Sequence, residues 1–520
     1  MKFCSATEAA ALVPDAATVF VDGSGGGVNE PDEILAALEC RFIAEQAPRD
    51  LTVVHVSGMG DGMGSGLSRF AHPGMTRRVI GGHWGWSKPM QDLAMAEQIE
   101  AYCLPQGTLS QLVREIAGHR PGVLTKIGLG TFVDPRQHGG RLNTAAKDDI
   151  VHLAELSGEE WLFTPAFPID VAIIRGSVAD EHGNISMDDE GLFAETLSAA
   201  QAAKNTGGVV IAQVRAAAAA GALDPRRVKV PSPLVDAVVV APQQRLSAAT
   251  TDDPYLTGRL RHPGTHCEPM PLTVRKVIAR RAALELVSGD VINLGFGMPD
   301  GVAAVLAEEG LSDQVIFTVE QGHIGGVPAG GSDFGLCRSP HATIDAGYQF
   351  DWYDGGGLDV AVLSFAQVDP EGNVNVGRFG GRVPGVGGFI NISQGTHRVV
   401  FVGTFVAGAE CTLDGLGGIT IHGGATPKFV DEVEQISFSG ARAASNGQDV
   451  RYVTERAVFG LVDGQLTLVE IAEGLDLERD VVAQMGFRPK IAPQLRTVDP
   501  AILRNSPMNL MLPKPTGGAR

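Results

Sequence analysis

Short apolar runs that end in glycine-rich loops recur along the chain. Residues 18–22, 51–56, 291–294 and 315–319 are four such runs, rich in β-branched side chains. A continuous apolar run of this length, bounded by turn residues, is typical of a buried strand. Amphipathic helical patterns alternate with the strands, as at residues 272–288. This alternation predicts an α/β fold with largely parallel sheets.

The order of elements in the first half of the chain is repeated in the second half. The strand and turn at residues 170–185 reappear at residues 359–374 with the same internal spacing, and a further apolar strand follows each copy. A repeat of this length indicates duplication of a whole structural unit. We therefore predict two homologous open α/β domains, residues 1–244 and 272–520.

Two segments lie outside the repeat. Residues 245–271 are polar and carry four prolines, a composition typical of a linker between domains. Residues 91–161 have no counterpart of equal length in the second half, so we predict an insertion there.

Composition narrows the range of partners. The chain has 520 residues, enough for two cores, and an ordinary apolar fraction of 44%. A formal charge of −19 argues against nucleic acid or an anionic membrane as a general partner. The six cysteines, Cys267 among them, form no C-x-x-C pair, and no apolar run is long enough to span a bilayer. These features predict a cytoplasmic protein with reduced thiols.

Several familiar sequence motifs are absent. The loops at Gly23 and Gly295 lack the third glycine of a dinucleotide-binding fingerprint, because Val28 and Asp300 stand in its place. There is no P-loop and no nucleophile elbow. The thirteen histidines show no metal-ligand spacing, so no metal site is predicted. His323 follows Glu320 by three residues and is more typical of a structural loop histidine.

Glu320 is a single carboxylate where the apolar run 315–319 gives way to a glycine-rich loop. Ligands of open α/β sheets bind at the carboxyl ends of strands. One interpretation is a catalytic carboxylate, and the other is a glutamate that caps free N–H groups of the loop. In the first half, Ser57 or Gly58 lies near the matching position, so only the second half has an acid there.

Three further segments could supply backbone or amide donors. Gly387 and Gly388 lie in a loop whose N–H groups can approach a ligand closely, as an oxyanion hole requires. Gln106 offers a neutral amide donor. Gly295, Phe296, Gly297, Met298 and Pro299 form a strand-to-helix loop that can cradle phosphate. A tight structural turn explains each glycine loop equally well.

Taken together, these segments resemble the family I CoA-transferases, in the fused single-chain branch of acetate and propionate CoA-transferases. The resemblance runs through nearly the whole chain in order, in the segments Gly82-His83-Trp84-Gly85, Pro105-Gln106-Gly107, 128–136, Thr318-Val319-Glu320, 322–326, 350–360, Gly387-Gly388-Phe389-Ile390 and 450–459.

The resemblance implies a covalent mechanism. A glutamate in the position of Glu320 attacks an acyl-CoA, and the enzyme passes through an acyl–glutamyl anhydride and a glutamyl-CoA thioester in ping-pong order. It also implies that Gly387, Gly388 and Gln106 hold the oxyanion, and that the 295–299 loop lies against CoA. CoA is then a co-substrate, with no other cofactor. A homodimer or homotetramer is expected.

Two other functions remain open. A CoA thioester hydrolase on the same scaffold would use water to resolve the glutamyl thioester. A non-enzymatic sensor would bind a CoA ester or a sugar phosphate, although a sensor needs no nucleophile at Glu320. Gln321 and His323 depart from what is common in the family, which leaves open whether acetate, propionate or another acid is the substrate.

Overall fold

A computed structural model describes residues 1–261, 269–408, 410–424 and 426–515. Within these ranges the chain forms two ten-stranded, mostly parallel sheets and several small two- or three-stranded sheets. The prediction of an α/β fold built from a tandem repeat is confirmed. Cys267 and part of the predicted linker lie outside the described residues.

The first half contributes thirteen strands and five α-helices to the described structure. Its strands are β1 (Lys2–Phe3), β2 (Thr18–Val21), β3 (Leu51–His55), β4 (Thr76–Gly81), β5 (Glu100–Cys103), β6 (Gly122–Thr125), β7 (His152–Leu156), β8 (Glu159–Pro165), β9 (Val171–Asp180), β10 (Ile185–Ser186), β11 (Val209–Ala218), β12 (Val228–Val230) and β13 (Ala237–Val240). Its helices are α1 (Ala6–Ala10), α2 (Asp32–Glu45), α3 (Lys88–Met95), α4 (Gln106–Ala117) and α5 (Thr196–Asn205).

The second half contributes eighteen strands, many of two residues, and five helices to the described structure. Its strands are β14 (Val291–Leu294), β15 (Ile316–Val319), β16 (His323–Ile324), β17 (Val327–Pro328), β18 (Cys337–Arg338), β19 (Ala342–Thr343), β20 (Val360–Ser364), β21 (Gln367–Val368), β22 (Val374–Asn375), β23 (Arg398–Val402), β24 (Val406–Ala407), β25 (Glu410–Leu413), β26 (Ile419–Gly423), β27 (Thr426–Pro427), β28 (Asp449–Val453), β29 (Ala457–Val462), β30 (Gln465–Ile471) and β31 (Lys490–Thr497). Its helices are α6 (Val274–Ala283), α7 (Gly301–Glu308), α8 (Ala346–Asp354), α9 (Phe389–Gly395) and α10 (Gly440–Ser445).

The two large sheets share a core of five parallel strands in the same order. That order is β3-β2-β9-β11-β13 in the first sheet and β15-β14-β20-β23-β28 in the second. Strands β3 and β14 are buried along their whole length, as expected for parallel strands covered on both faces. The sheets differ at their edges, where the first adds parallel β4 and β5 and the second adds short antiparallel β16 and β19.

The repeated aspartates make the same contacts in both halves. The Asp170 carboxylate accepts the backbone N–H of Thr18 at 2.7 Å, and the Asp359 carboxylate accepts that of Val291 at 2.8 Å. Asp180 holds Asn184, and Asp369 holds Asn373, through matching backbone and side-chain hydrogen bonds. The sequence repeat therefore preserves the contacts that connect the equivalent strands and close their turns.

Residues 91–161, which the sequence predicts to be an insertion, divide between two parts of the structure. Strand β5 extends the first main sheet, and helix α4 follows it. Strands β6, β7 and β8 form a separate three-stranded antiparallel sheet. The predicted insertion therefore includes elements of the domain core as well as an appended sheet.

The two halves pack against each other through α4, α8 and α9. The backbone N–H of Gly107 donates to the Asn391 side chain at 3.0 Å, and Arg114 pairs with Asp351 at 2.8 Å. A continuous apolar core includes buried residues of both halves, among them Val19 and Phe350. Across the described ranges, no helix is long and apolar enough to cross a membrane.

Candidate active site

A cavity of about 590 Å³ lies between the two halves. Its walls are mostly glycine, aromatic and aliphatic residues, with a few polar side chains. The polar and aromatic side chains that line it are Ser24, Ser57, His83, Trp86, Gln106, Asn293, Phe296, Glu320, Gln321, Phe334, Ser364, Phe365, Phe379 and Phe389. Among the described lining residues, Glu320 is the one carboxylate.

Glu320 directly follows β15 and lies at the carboxyl end of the parallel sheet. Its side chain is buried, with 6% of the residue exposed. The chain turns away at Gly322, where φ is +115° and an added Cβ would lie 2.0 Å from the Ile344 carbonyl oxygen. Only glycine fits this turn. Strand, acid and glycine turn together direct one carboxylate into the cavity.

The surroundings of Glu320 are polar but uncharged. Burial raises the pKa of its carboxyl above the usual range, and hydrogen bonds from its own backbone N–H, Asn293 and Gln321 partly oppose that rise. Asn293 Nδ2 lies 3.4 Å from a Glu320 carboxylate oxygen and 3.4 Å from the hydroxyl oxygen of Tyr353. Tyr353 in turn donates to the Thr318 hydroxyl at 2.7 Å.

The predicted oxyanion donors Gly387 and Gly388 differ in whether the backbone N–H group already has a hydrogen-bond acceptor. The N–H of Gly387 donates to the Gly82 carbonyl at 2.7 Å in this structure, and its role as an oxyanion donor stays a prediction. The N–H of Gly388 has no backbone acceptor among the described residues. A Cβ added at Gly388 would lie 3.4 Å from Glu320 Cγ, which shows how close the loop approaches the acid.

Gln106 is brought to the same cavity by the start of α4. Its backbone N–H donates to the Gly387 carbonyl at 2.9 Å, so the two loops are joined across the domain boundary. The residue is buried and lines the cavity. Its side-chain amide is therefore placed on the same side of the cavity as the Gly387–Gly388 loop.

The predicted CoA loop reaches the cavity in part. Gly295 and Phe296 line it, whereas Gly297, Met298 and Pro299 do not. Phe296 is 53% exposed and packs edge-on against Trp86 and Phe334. Arg275 donates to the Gly297 carbonyl at 2.8 Å and so holds the outer part of the loop. The loop thus contributes an aromatic edge from the second half that meets Trp86 from the first.

Three polar cavity residues of the first half were given no role from sequence. Ser24, Ser57 and His83 each follow the carboxyl end of a strand, namely β2, β3 and β4. The same rule that selected Glu320 would have found them, because the ends of parallel strands converge on one edge. Ser24 and Ser57 lie 3.1 Å apart through their hydroxyl oxygens.

The His83 ring is held in its neutral form in this structure. Burial lowers its pKa to about 4, and the nearby His55 adds to the effect. Its Nδ1 accepts the backbone N–H of Gly85 at 3.3 Å, so the hydrogen of the neutral ring is on Nε2. His323, by contrast, does not line the cavity, and its Nδ1 lies 3.2 Å from the Thr343 hydroxyl.

The second half retains an acid where the first half has an apolar residue. Strand pairing makes Val53 equivalent to Phe317, because each lies beside the matching residue of the neighbouring central strand. Three residues further along, Val56 is therefore equivalent to Glu320, one residue before the expected Ser57. No group of acids, histidines and cysteines that could hold a metal ion occurs among the residues described.

The known proteins to which this chain is similar are CoA-transferases. Residues 3–241 match the family model described as "Coenzyme A transferase". The caffeate CoA-transferase of Acetobacterium woodii is 46% identical over 506 residues, covering 96% of both chains. The acetate CoA-transferase YdiF of Escherichia coli K12 is 41% identical over 513 residues, covering 98% of this chain and 96% of the relative.

Solved structures agree with the sequence relatives. The acyl-CoA transferase YdiF from Escherichia coli O157:H7, in a thioester complex with CoA, is 40% identical and superposes with a TM-score of 0.94 over 98% of both chains. A shorter relative, the acetate CoA-transferase subunit beta of Escherichia coli K12, is 32% identical and aligns over 98% of its own length but 44% of this chain.

Proposed function

The chain belongs to the coenzyme A transferase family, and we propose that it moves CoA between a short-chain acyl-CoA and a carboxylic acid, with Glu320 as the nucleophile. The observation that carries this proposal is the burial of a single carboxylate, Glu320, in the cavity between the halves. A carboxylate that is poorly hydrated and surrounded by neutral donors is a strong nucleophile for an acyl group.

The reaction begins with attack of a Glu320 carboxylate oxygen on the thioester carbonyl of the acyl-CoA. The C–S bond breaks, CoA leaves as a thiolate, and an acyl–glutamyl anhydride forms. The thiolate sulfur then attacks the glutamyl carbonyl carbon, and the acid departs as a carboxylate. The remaining glutamyl-CoA thioester reacts with an incoming carboxylate by the same two steps in reverse, so charge and atoms balance in each half-reaction.

The tetrahedral intermediates of these steps carry an oxyanion, and neutral donors surround Glu320 in the cavity. We assign the free N–H of Gly388 and the side-chain amide of Gln106 to that oxyanion. His83, neutral and with its hydrogen on Nε2, is a further donor on the same wall. Gly295 and Phe296 would lie against the pantetheine arm of CoA.

Intact mass spectrometry tests the proposal directly. Incubation with an acyl-CoA should give a CoA-sized adduct that maps to Glu320 after borohydride reduction. The adduct should be absent in E320Q, while E33Q, an acid on α2 outside the cavity, serves as the control and should retain it. Persistence of the adduct in E320Q would contradict the assignment. CoA release that is independent of any acceptor acid would indicate a hydrolase instead.

The acid substrate and the assembly complete the proposal. Relatives are named for acetate and for caffeate, acids of very different size, so the acid is proposed only as a small carboxylate such as acetate or propionate. A homodimer or homotetramer, a cytoplasmic location and domain limits of 1–244 and 272–520 are proposed from the sequence. Five cysteines, Cys4, Cys40, Cys103, Cys337 and Cys411, are free thiols, which suits a reducing compartment.

A further inference from the structure

Two side-chain amides approach the Glu320 carboxylate from different elements. Asn293 lies on β14, the strand beside β15, and Gln321 follows Glu320 in the chain. Asn293 Nδ2 lies 3.4 Å from a carboxylate oxygen, Gln321 lines the cavity beside the acid, and both amides act to lower the pKa of the carboxyl. Asn293 is fully buried and Gln321 is 4% exposed. The nucleophile is therefore held between two buried amides.

The carboxylate determines which end of each amide faces it. An ionised carboxylate can only accept hydrogen bonds, so an amide nitrogen must point toward it and the amide oxygen away. This orientation leaves Asn293 Oδ1 and Gln321 Oε1 buried and without a hydrogen-bond donor among the described residues. Buried polar atoms in proteins are nearly always paired, and an unpaired one carries a free-energy cost.

The two unpaired oxygens indicate that each amide is needed for its N–H donor and not for its oxygen. A valine or leucine at either site would avoid the cost but would supply no donor to Glu320. Asn293 instead directs its N–H groups toward the acid, the Thr318 carbonyl and the Tyr353 hydroxyl, each at 3.4 Å.

No cation offsets the charge of Glu320. The influences on its pKa are burial, its own N–H and the two amides, without a charged neighbour. The titratable groups nearby are Tyr353 on α8, whose pKa burial raises beyond the physiological range, and His83 after β4, whose pKa is lowered to about 4. Both are therefore neutral near pH 7, and neither supplies a positive charge that would offset that of Glu320.

We infer that Asn293 and Gln321 form an amide clamp, a pair of positioning residues that keeps Glu320 ionised and aligned and thereby sets the lower pH limit of catalysis. The inference rests on the proposed role of Glu320. A neutral clamp suits the reaction because Glu320 alternates between an anion and an uncharged acyl group. A paired cation would be left buried and alone each time the thioester formed, at a large cost in free energy.

The test is the pH dependence of kcat/KM for the acyl-CoA in N293L and Q321M, which keep the size of each side chain but remove the donor. Each variant should move the acidic limb upward by about one pH unit, the size expected for one hydrogen bond to a charged group. The high-pH plateau should fall as well, because the carboxylate is less well aligned, so the shift of the limb is the measurement that tests the clamp. A lower plateau with an unmoved limb would mean a merely structural role and would overturn the clamp.

Two further variants serve as a control and as an alternative in this test. Q213M removes an equally buried amide from β11, where Gln213 contacts the start of α2 and Gln244, and its limb should not move. If it moves as far as that of Q321M, the clamp is refuted. If N293L does not fold, N293D keeps the shape and adds a like charge beside Glu320, and its limb should move further upward; an unmoved limb again refutes the clamp.

The mass adduct separates the two proposals. If the wild-type protein forms no CoA adduct on Glu320, the proposed function fails and the clamp fails with it. If the adduct forms in the wild-type protein but the acidic limb is the same in N293L and Q321M, the clamp alone fails.

Discussion

Gly388 brings backbone close to Glu320 without the steric bulk of a side chain. A Cβ there would lie 3.4 Å from Glu320 Cγ and 3.1 Å from Ile392 Cδ1, which is tight but not prohibitive. The backbone at Gly388 is right-handed helical, with φ −79° and ψ −5°, so any residue can adopt it. Glycine is needed at this position for the space beside the acid and not for its backbone.

G388A should therefore fold normally and lose activity. We expect a Tm within a few degrees of wild type and a kcat lowered about 10- to 100-fold, because a small displacement of a nucleophile is costly. G355A is the matched control, since Gly355 at the end of α8 has φ −79° and ψ 2° and lies outside the cavity. Steady-state kinetics and thermal unfolding of both variants test this prediction. A G388A variant that is as active as G355A would contradict it.

Among the connecting elements, the loop after β3 is held by a buried acid. Glu30 accepts the backbone N–H of Gly60 and has its other carboxylate oxygen buried and unpaired. Burial raises the pKa of Glu30 to about 8, far above the usual range of a glutamate, so the folded protein holds this group protonated at neutral pH. The loop carries Ser57 and Gly58 to the cavity.

The free energy of unfolding should consequently fall as the pH rises from about 4.5 to about 8. A group whose folded-state pKa is raised contributes stability that is complete below its unfolded pKa and is lost as the pH rises through the folded value. For Glu30 the loss should begin near the ordinary pKa of 4.5, proceed at about 1.4 kcal/mol per pH unit, and level off above the folded-state pKa of about 8.

E30Q should flatten this dependence, because the amide does not ionise. Urea unfolding of the wild-type protein and E30Q at about pH 5.5 and about pH 7.5, inside this window, measures the difference. The buried Asp22 and Glu195 also have raised pKa values from burial, so part of the slope should remain in E30Q. Identical slopes in the two proteins would show that folding does not raise the pKa of Glu30.

Across the whole molecule, the cavity depends on both halves. Ser24, His83 and Gln106 come from the first half, and Glu320 and Gly388 come from the second. The apolar core also continues across the boundary. Neither half contains a complete site, and each presents an apolar surface that the other covers.

Residues 1–244 and 272–520, produced as two separate chains, should each be inactive. Co-expression should restore activity, because the contacts of α4 with α8 and α9 do not require a covalent link. R114E, which opposes Asp351 with a like charge, should weaken the association of the two chains more than R120E, whose native partner Glu115 lies in the same half. Activity in either chain alone would refute the shared site.

The sequence by itself determined much of this protein. Apolar strand runs, glycine loops and an internal repeat predicted two α/β domains, because strand burial and turn geometry are local properties that each segment expresses on its own. The same reasoning placed Glu320 at the carboxyl end of a strand. It also identified Gln106 and the loops at 295–299 and 385–390, whose roles remain proposals.

Only the tertiary structure decided which donors are free and which groups meet. Gly387 and Gly388 are indistinguishable in sequence, yet Gly82 from the other half occupies one N–H and leaves the other open. Asn293 joins Glu320 through the pairing of β14 with β15, a contact between residues far apart in the chain. Hydrogen-bond partners and pKa values depend on the three-dimensional neighbours of a group, which local pattern does not specify.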